Sequence, residues 1–384
     1  MLLSALGWIA FTCATMRWLT WGVPIARHYA TDELQYETIA RAAPGLPDTK
    51  ISAAASQRFV SHWLVGAAAD VTGLGLHTVY RIATWLCLLA IAAVAVRLVV
   101  AFDLPLGAGV VALGLVITNP YAWRLPLIAP AMLSDTVLVL GIGIALLGLV
   151  ENSPPLAIAG CVVAVLGREM GLAVMVVVCV WLLWRRRFAA AAAAFVVPAA
   201  AFGVVKLVGE TFSFPDPSAA AFTVVSPILR LPGSARELAD HFGRVAIAAP
   251  AALALVAAGI LVARRVTRPL ELALVVAAVV FLQPAAFNPD WVQHNETRLA
   301  ALAIVPLALA AAAAFALTAA ARSRAVVGAA VVLVAVASLQ HRYTWTGTFL
   351  SPKDFVALET AAALALAVLV LWRGREARVL HSPA

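Results

Sequence analysis

The sequence predicts an all-α polytopic membrane protein of about twelve transmembrane helices, within a range of ten to thirteen, built as a single transmembrane domain over 1–384. Three observations lead there. Hydrophobic residues make up 64% of the 384-residue chain and charged residues only 12%. Mean hydropathy is +0.98. Apolar runs near the length that crosses hydrocarbon as a helix recur from end to end. Soluble domains do not carry this composition.

The first run, Leu2 to about Val23, has no basic segment ahead of it and no small-residue cleavage site. It therefore reads as a retained helix rather than a signal peptide. Further runs lie at roughly 78–101, 105–119, 133–151, 154–166, 169–184, 188–208, 244–263, 269–287, 298–320, 325–340 and 355–373. The pair 154–166 and 169–184 is short for two crossings and reads as one broken hairpin turning at Arg168-Glu169. Irregular backbone is tolerated at membrane depth where it lines a cavity. Alanine-rich runs at 189–201 and 309–322 read as tightly packed helices encoded by a GC-rich genome, since small residues favour close packing in lipid.

Charge sets the orientation. Basic clusters close alternate spans: Arg185 to Arg187, Arg264-Arg265 with Arg268, Arg322 with Arg324, and Arg373, Arg375 and Arg378. Loops of this kind face the cytoplasm. Both termini then lie inside. Of the 19 acids only Asp103, Glu151, Glu271 and Glu376 fall on that side, so orientation accounts for the whole net charge of +8 and no nucleic-acid partner is implied. The acids gather outside, where the longer connections also lie. The first, 24–77, holds two expected interfacial helices, 34–43 and the amphipathic 58–71. A proline-rich cap follows at 209–243, then Gln283 to Arg298 and the aromatic-rich His341 to Asp354. No internal repeat is visible, which weighs against an inverted-repeat transporter.

The candidate chemistry starts at Asp32-Glu33, adjacent acids at the mouth of the first span. Desolvation at a membrane edge raises a carboxylate's pKa and suits it to act as a general base; the ordinary reading is a solvated loop edge. Glu37 lies one helical turn after Glu33 and shares its face. Ser134-Asp135 opens the fourth span as either a helix cap or a second carboxylate facing the same cavity. Arg168-Glu169, between two short apolar helices, is a structural ion pair or a contact to a lipid phosphate or sugar. His294 and Glu296 precede Arg298, which can hold a phosphate with its planar fork or simply snorkel to the interface. Asn295 to Thr297 also matches a glycosylation sequon, set aside because the composition is bacterial. Cys13, Cys87, Cys161 and Cys179 sit in apolar runs as buried small hydrophobes, and the seven histidines show no zinc spacing.

In order and position these motifs resemble the C-type glycosyltransferase superfold (GT-C), polytopic enzymes that use polyprenyl-phosphate sugars at the external membrane face. The likeness rests on Asp32-Glu33 followed by Tyr36, the long first loop, Tyr80-Arg81 in the second span, Ser134-Asp135, Arg168-Glu169 and Glu296-Thr297-Arg298. It covers 1–190 well and the remainder loosely. No soluble C-terminal domain of the kind many relatives carry is expected, and no motif names a sugar. The resemblance implies inverting transfer from a polyprenyl-phosphate-linked sugar to a glycan or lipid acceptor, external to a bacterial plasma membrane. Asp32 is then the base with Glu33 as neighbour or substitute. Arg81, Arg168 and Arg298 are the candidate cations for the phosphate, with Tyr36, Glu37, Asp135, Glu169, His294 and Glu296 around the substrate. A divalent metal is compatible with the acids but not demanded. A lipid or solute transporter and a non-catalytic scaffold are the competing classes.

Overall fold

The computed structural model describes residues 1–19, 27–214, 243, 245–264, 266–286, 296–337 and 352–379. Helices α1 (Leu2–Leu19), α2 (Arg27–Ala42), α3 (Ala53–Ser56), α4 (Phe59–Thr72) and α5 (Leu76–Ala101) open the chain. Helix α6 (Leu106–Ile117) bends by 55° into a π-helical turn, Pro120–Arg124, and α7 (Leu125–Ile128). A 3-10 turn, Pro130–Met132, leads into α8 (Leu133–Val150). There follow α9 (Pro154–Gly167), α10 (Gly171–Trp184), α11 (Phe188–Thr211), α12 (Pro250–Ala263), α13 (Arg268–Ala286), α14 (Glu296–Ala301), α15 (Ile304–Ala316), α16 (Arg324–Ala337) and α17 (Pro352–Val379). The only β pairing among the described residues is an isolated bridge, Ile51 to Ser213, which ties the first connection to the end of α11.

The chain is an all-α protein with helices fit for a membrane. Among the described residues four are long and apolar enough to cross it: Leu76–Ala101, Pro130–Val150, Phe188–Thr211 and Val356–Arg373. The bent pair around Asn119 makes a fifth. Shorter apolar helices cover Leu2–Met16, Pro154–Gly167, Gly171–Trp184, Pro250–Ala263, Ile304–Ala316 and Arg324–Ala337. The expected twelve runs are therefore not twelve full-length helices. The run expected at 298–320 shows why. It breaks between α14 and α15, and every residue from Ile304 to Phe315 is buried. A helix wrapped by protein on all sides need not match the hydrocarbon thickness. The outward faces of α5, α10, α11 and α17 instead expose Leu86, Trp184, Leu207 and Val368, as lipid contact requires.

The connection 119–132, between the apolar runs expected at 105–119 and 133–151, is not a solvated loop but is buried from Asn119 through Pro126. The Asn119 carboxamide oxygen accepts from the amides of Tyr121 (3.0 Å) and Ala122 (2.9 Å), satisfying donors freed by the bend. On the other side, Thr12 donates to the Ile117 carbonyl (3.2 Å) and Trp8 Nε1 to Val110 (2.9 Å), locking α1 onto α6.

Helices α8 and α9 pack almost backbone to backbone. A Cβ added at Gly141 would lie 2.2 Å from the Ala164 nitrogen, at Gly148 2.2 Å from that of Ala157, and at Gly160 2.2 Å from that of Ala145. Small residues here do what the hydrophobic effect does in water, since lipid gives helices no apolar reason to associate. Gly160→Ala is expected to force the pair apart and cost about 1–3 kcal/mol. Gly203→Ala, with nothing within 4 Å of the new carbon, is expected to be neutral or slightly stabilising. Thermal unfolding of the two purified variants checks this; equal melting points would refute the close packing.

Candidate active site

Helix α2 is two-faced. Tyr36, Ile39 and Ala40 are buried, while Asp32, Glu33 and Glu37 are only partly covered. The buried face lies against α4, with Gly66 so close to Ala40 that a Cβ would sit 1.8 Å from its carbonyl oxygen. This contact brings the start of α4 under Tyr36. Arg58, the residue before α4, donates from Nη1 to the Tyr36 hydroxyl at 3.1 Å. His62, one turn on, stacks on the Tyr36 ring with centroids 4.1 Å apart and 12° between planes. Its Nδ1 lies 3.1 Å from the Tyr80 hydroxyl, which donates to the Tyr36 carbonyl at 3.2 Å. Burial, then the Arg58 charge, lowers the His62 pKa to about 3 and keeps the ring neutral.

The second half is built on α8, α14 and the extended joint between α9 and α10. Asp135 is buried in the first turn of α8. One carboxylate oxygen accepts from Arg168 Nη1. The other is met by Arg298 Nε at 2.7 Å and Nη2 at 2.6 Å. Both arginines are themselves buried. Glu169 joins this half to the first: Arg58 donates Nη2 to one oxygen at 2.9 Å and Nε to the other at 3.3 Å, and Arg168 Nη2 lies 3.9 Å from Glu169. Burial works against the Arg58 charge, but Glu169 and Tyr36 override it and hold the guanidinium firmly protonated. The outer end is Asp32, whose Oδ2 lies 3.9 Å from Arg298 Nη1 and whose side chain is 41% exposed. One continuous network thus runs from the rim into the bundle, with Asp32, Asp135 and Glu169 balanced by Arg58, Arg168 and Arg298.

The structure therefore brings together Asp32, Tyr36, Asp135, Arg168, Glu169 and Arg298, residues spread across most of the chain. Glu33 and Glu37 sit beside the rim. Glu37 pairs with Arg41 at 3.1 Å and His77 at 3.7 Å. Arg81 is not brought into the network: it is exposed, because the helical phase of α5 turns its neighbour Tyr80 inward instead. His294 lies outside the described residues, and so does the side chain of Glu296, which begins α14. Arg58 and His62 are members that sequence reading passed over, and Tyr80 entered it only as the neighbour of Arg81. The signal was present: Arg58 and His62 stand four apart, on one face of the amphipathic helix.

Glu33 carries a pH consequence. Burial first, then the charges of Glu37 and Asp32, raise its pKa from 4.5 to about 7. The folded protein binds this proton more tightly than the unfolded chain, so the stability it contributes is full below pH 4.5 and lost as pH rises through about 7. Glu33→Gln is expected to melt higher than wild type at pH 8 and together with it at pH 4.5. A melting gap that is constant across this window, or absent, would show that Glu33 is not perturbed.

Among the described residues no group of three or more His, Cys, Asp and Glu side chains is arranged to hold a metal ion. Comparison with known protein families, characterised proteins and solved structures finds no match for this chain.

Proposed function

We propose that this chain is an inverting GT-C-type glycosyltransferase. It moves a sugar from a polyprenyl-phosphate donor to a glycan or lipid of the cell envelope at the external face of a bacterial plasma membrane. The observation that carries the reading is the Asp32–Arg298 contact of 3.9 Å at the accessible end of a buried charge network. A carboxylate open to solvent stands beside a guanidinium anchored from behind by Asp135. That is the pairing displacement at a phosphate-bearing anomeric carbon needs: a base for the incoming hydroxyl and a cation for the departing oxygen.

In this mechanism the acceptor hydroxyl oxygen forms the new bond to the anomeric carbon while its proton passes to Asp32. The bond from that carbon to the phosphate oxygen breaks, and its electron pair leaves with the lipid phosphate, facing Arg298. Attack opposite the leaving group inverts the anomeric centre. Arg58, Glu169 and Arg168 hold Arg298 and α2 in register, so the base and the cation need no rearrangement as charge develops. Glu33 stands ready to substitute for Asp32.

A screen of the purified protein against polyprenyl-phosphate sugars, reading sugar release or transfer, tests the activity. Movement of an intact lipid or solute without bond cleavage would favour the transporter reading. The orientation has its own test in a cysteine-free background. Thr49→Cys, at an exposed position in the first connection, is expected to react with an impermeant maleimide added outside intact cells. Ser323→Cys is expected to react only after permeabilisation. Labelling of Ser323→Cys from outside would overturn the orientation.

A further inference from the structure

Arg124 lies apart from the network just described and is fully buried. Its Nη2 donates to the Thr15 hydroxyl at 3.2 Å. Its Nε and Nη1 are buried with no hydrogen-bond partner among the described residues. A buried guanidinium with two open donors is costly, because the full desolvation penalty of a charged group is left without compensation. Glu359 on α17 is also buried. A small cavity lined in part by Asn119, Pro120, Ala249, Ile304 and Glu359 opens beside the same turn. The turn also packs against α14, the helix that carries Arg298.

The arginines of the network are differently placed. Arg298 directs Nε and Nη2 to Asp135 and Nη1 towards Asp32, while Arg168 is held by Asp135 and Glu169. Carboxylates share much of their charge, so the phosphate oxygens that do not face Arg298 call for a further cation. The phosphodiester of a lipid-linked sugar that enters the bundle finds two unpartnered guanidinium donors on Arg124. We propose that Arg124 is a phosphate-binding residue of this protein, its Nε and Nη1 donating to oxygens of the donor's lipid phosphate inside the bundle. The choice of phosphate over other anions rests on the glycosyltransferase reading; the open donors do not. Glu359 then acts as a counter-charge that weakens the hold on the anion, which lets a spent lipid phosphate leave.

The test is equilibrium binding of farnesyl phosphate, inorganic phosphate and farnesol to the full chain in nanodiscs, which needs no turnover. Arg124→Gln is expected to weaken farnesyl phosphate binding at least tenfold. Glu359→Gln is expected to tighten it at least threefold, the opposite sign from a loss of structure. A smaller change in Arg124→Gln overturns the proposal, as does an equal loss of farnesol binding. If Arg124→Gln does not fold, Glu359→Gln decides: unchanged or weaker binding overturns the site. A parallel loss of inorganic phosphate would identify a general phosphate site, and a loss confined to farnesyl phosphate a lipid-headgroup site. Arg124-dependent binding in a protein that transfers no sugar would leave this site standing and remove the glycosyltransferase reading.

Discussion

Asp135→Asn is expected to lower stability by about 3–5 kcal/mol, the penalty for breaking a buried ion pair from one side. The substitution keeps the shape of the side chain and removes only its charge. Arg168 and Arg298, with side chains 5% and 3% exposed, would then face each other's positive charge across a neutral amide. Both come from distant parts of the chain, so the loss also loosens the joint between α9 and α10 and the seating of α14 on α8. Thermal unfolding and size-exclusion behaviour of the variant measure this. A melting point within a few degrees of wild type would mean that Asp135 is not the anchor of the network.

Asp32→Asn is expected to leave the fold intact and cut sugar transfer by about 10²–10⁴, the usual cost of losing a general base. Two facts separate this from Asp135. The Asp32 side chain is 41% exposed, and its one contact in the network, to Arg298, is 3.9 Å long. Its amide analogue therefore removes little packing and strands no buried charge, while losing the lone pair that takes the proton. Glu33→Gln should cost less, because Glu33 has the supporting role in the proposed scheme. The reverse ranking would move the base to Glu33 and keep the mechanism.

Much of the candidate site was legible because charge is rare and expensive in a chain this apolar. Asp32, Asp135, Arg168, Glu169 and Arg298 each stand out at the end of an apolar run, where an ionised group needs a partner. What local pattern does not carry is who the partner is. Arg58 reads as the first residue of an amphipathic interfacial helix, yet it pairs with Glu169, 111 residues away. Arg81 stood out by the same logic as Arg168, but one residue of helical phase separates a buried side chain from an exposed one, and Tyr80 took the inward position. The same limit applies to the fold. Helix type and the two helices of the first connection, expected at 34–43 and 58–71 and found at Arg27–Ala42 and Phe59–Thr72, follow from periodicity. The break before Ile304 does not, since it sits inside apolar sequence and depends on the neighbours that bury it, whereas the bend after Ile117 falls at Asn119-Pro120, the end of an apolar run. Arg124 and Glu359 were passed over for a related reason: each is a single charge in an apolar stretch with no local companion.

The most direct measurement of the central claim is sugar transfer by the Asp32→Asn, Glu33→Gln double variant. It would be assayed with whichever polyprenyl-phosphate sugar the wild-type protein uses, and the anomeric configuration of the wild-type product read alongside. The account predicts an inverted product from wild type and a folded double variant whose rate falls by at least about 10². A double variant that transfers sugar at the wild-type rate, or a wild-type product with retained configuration, would contradict it.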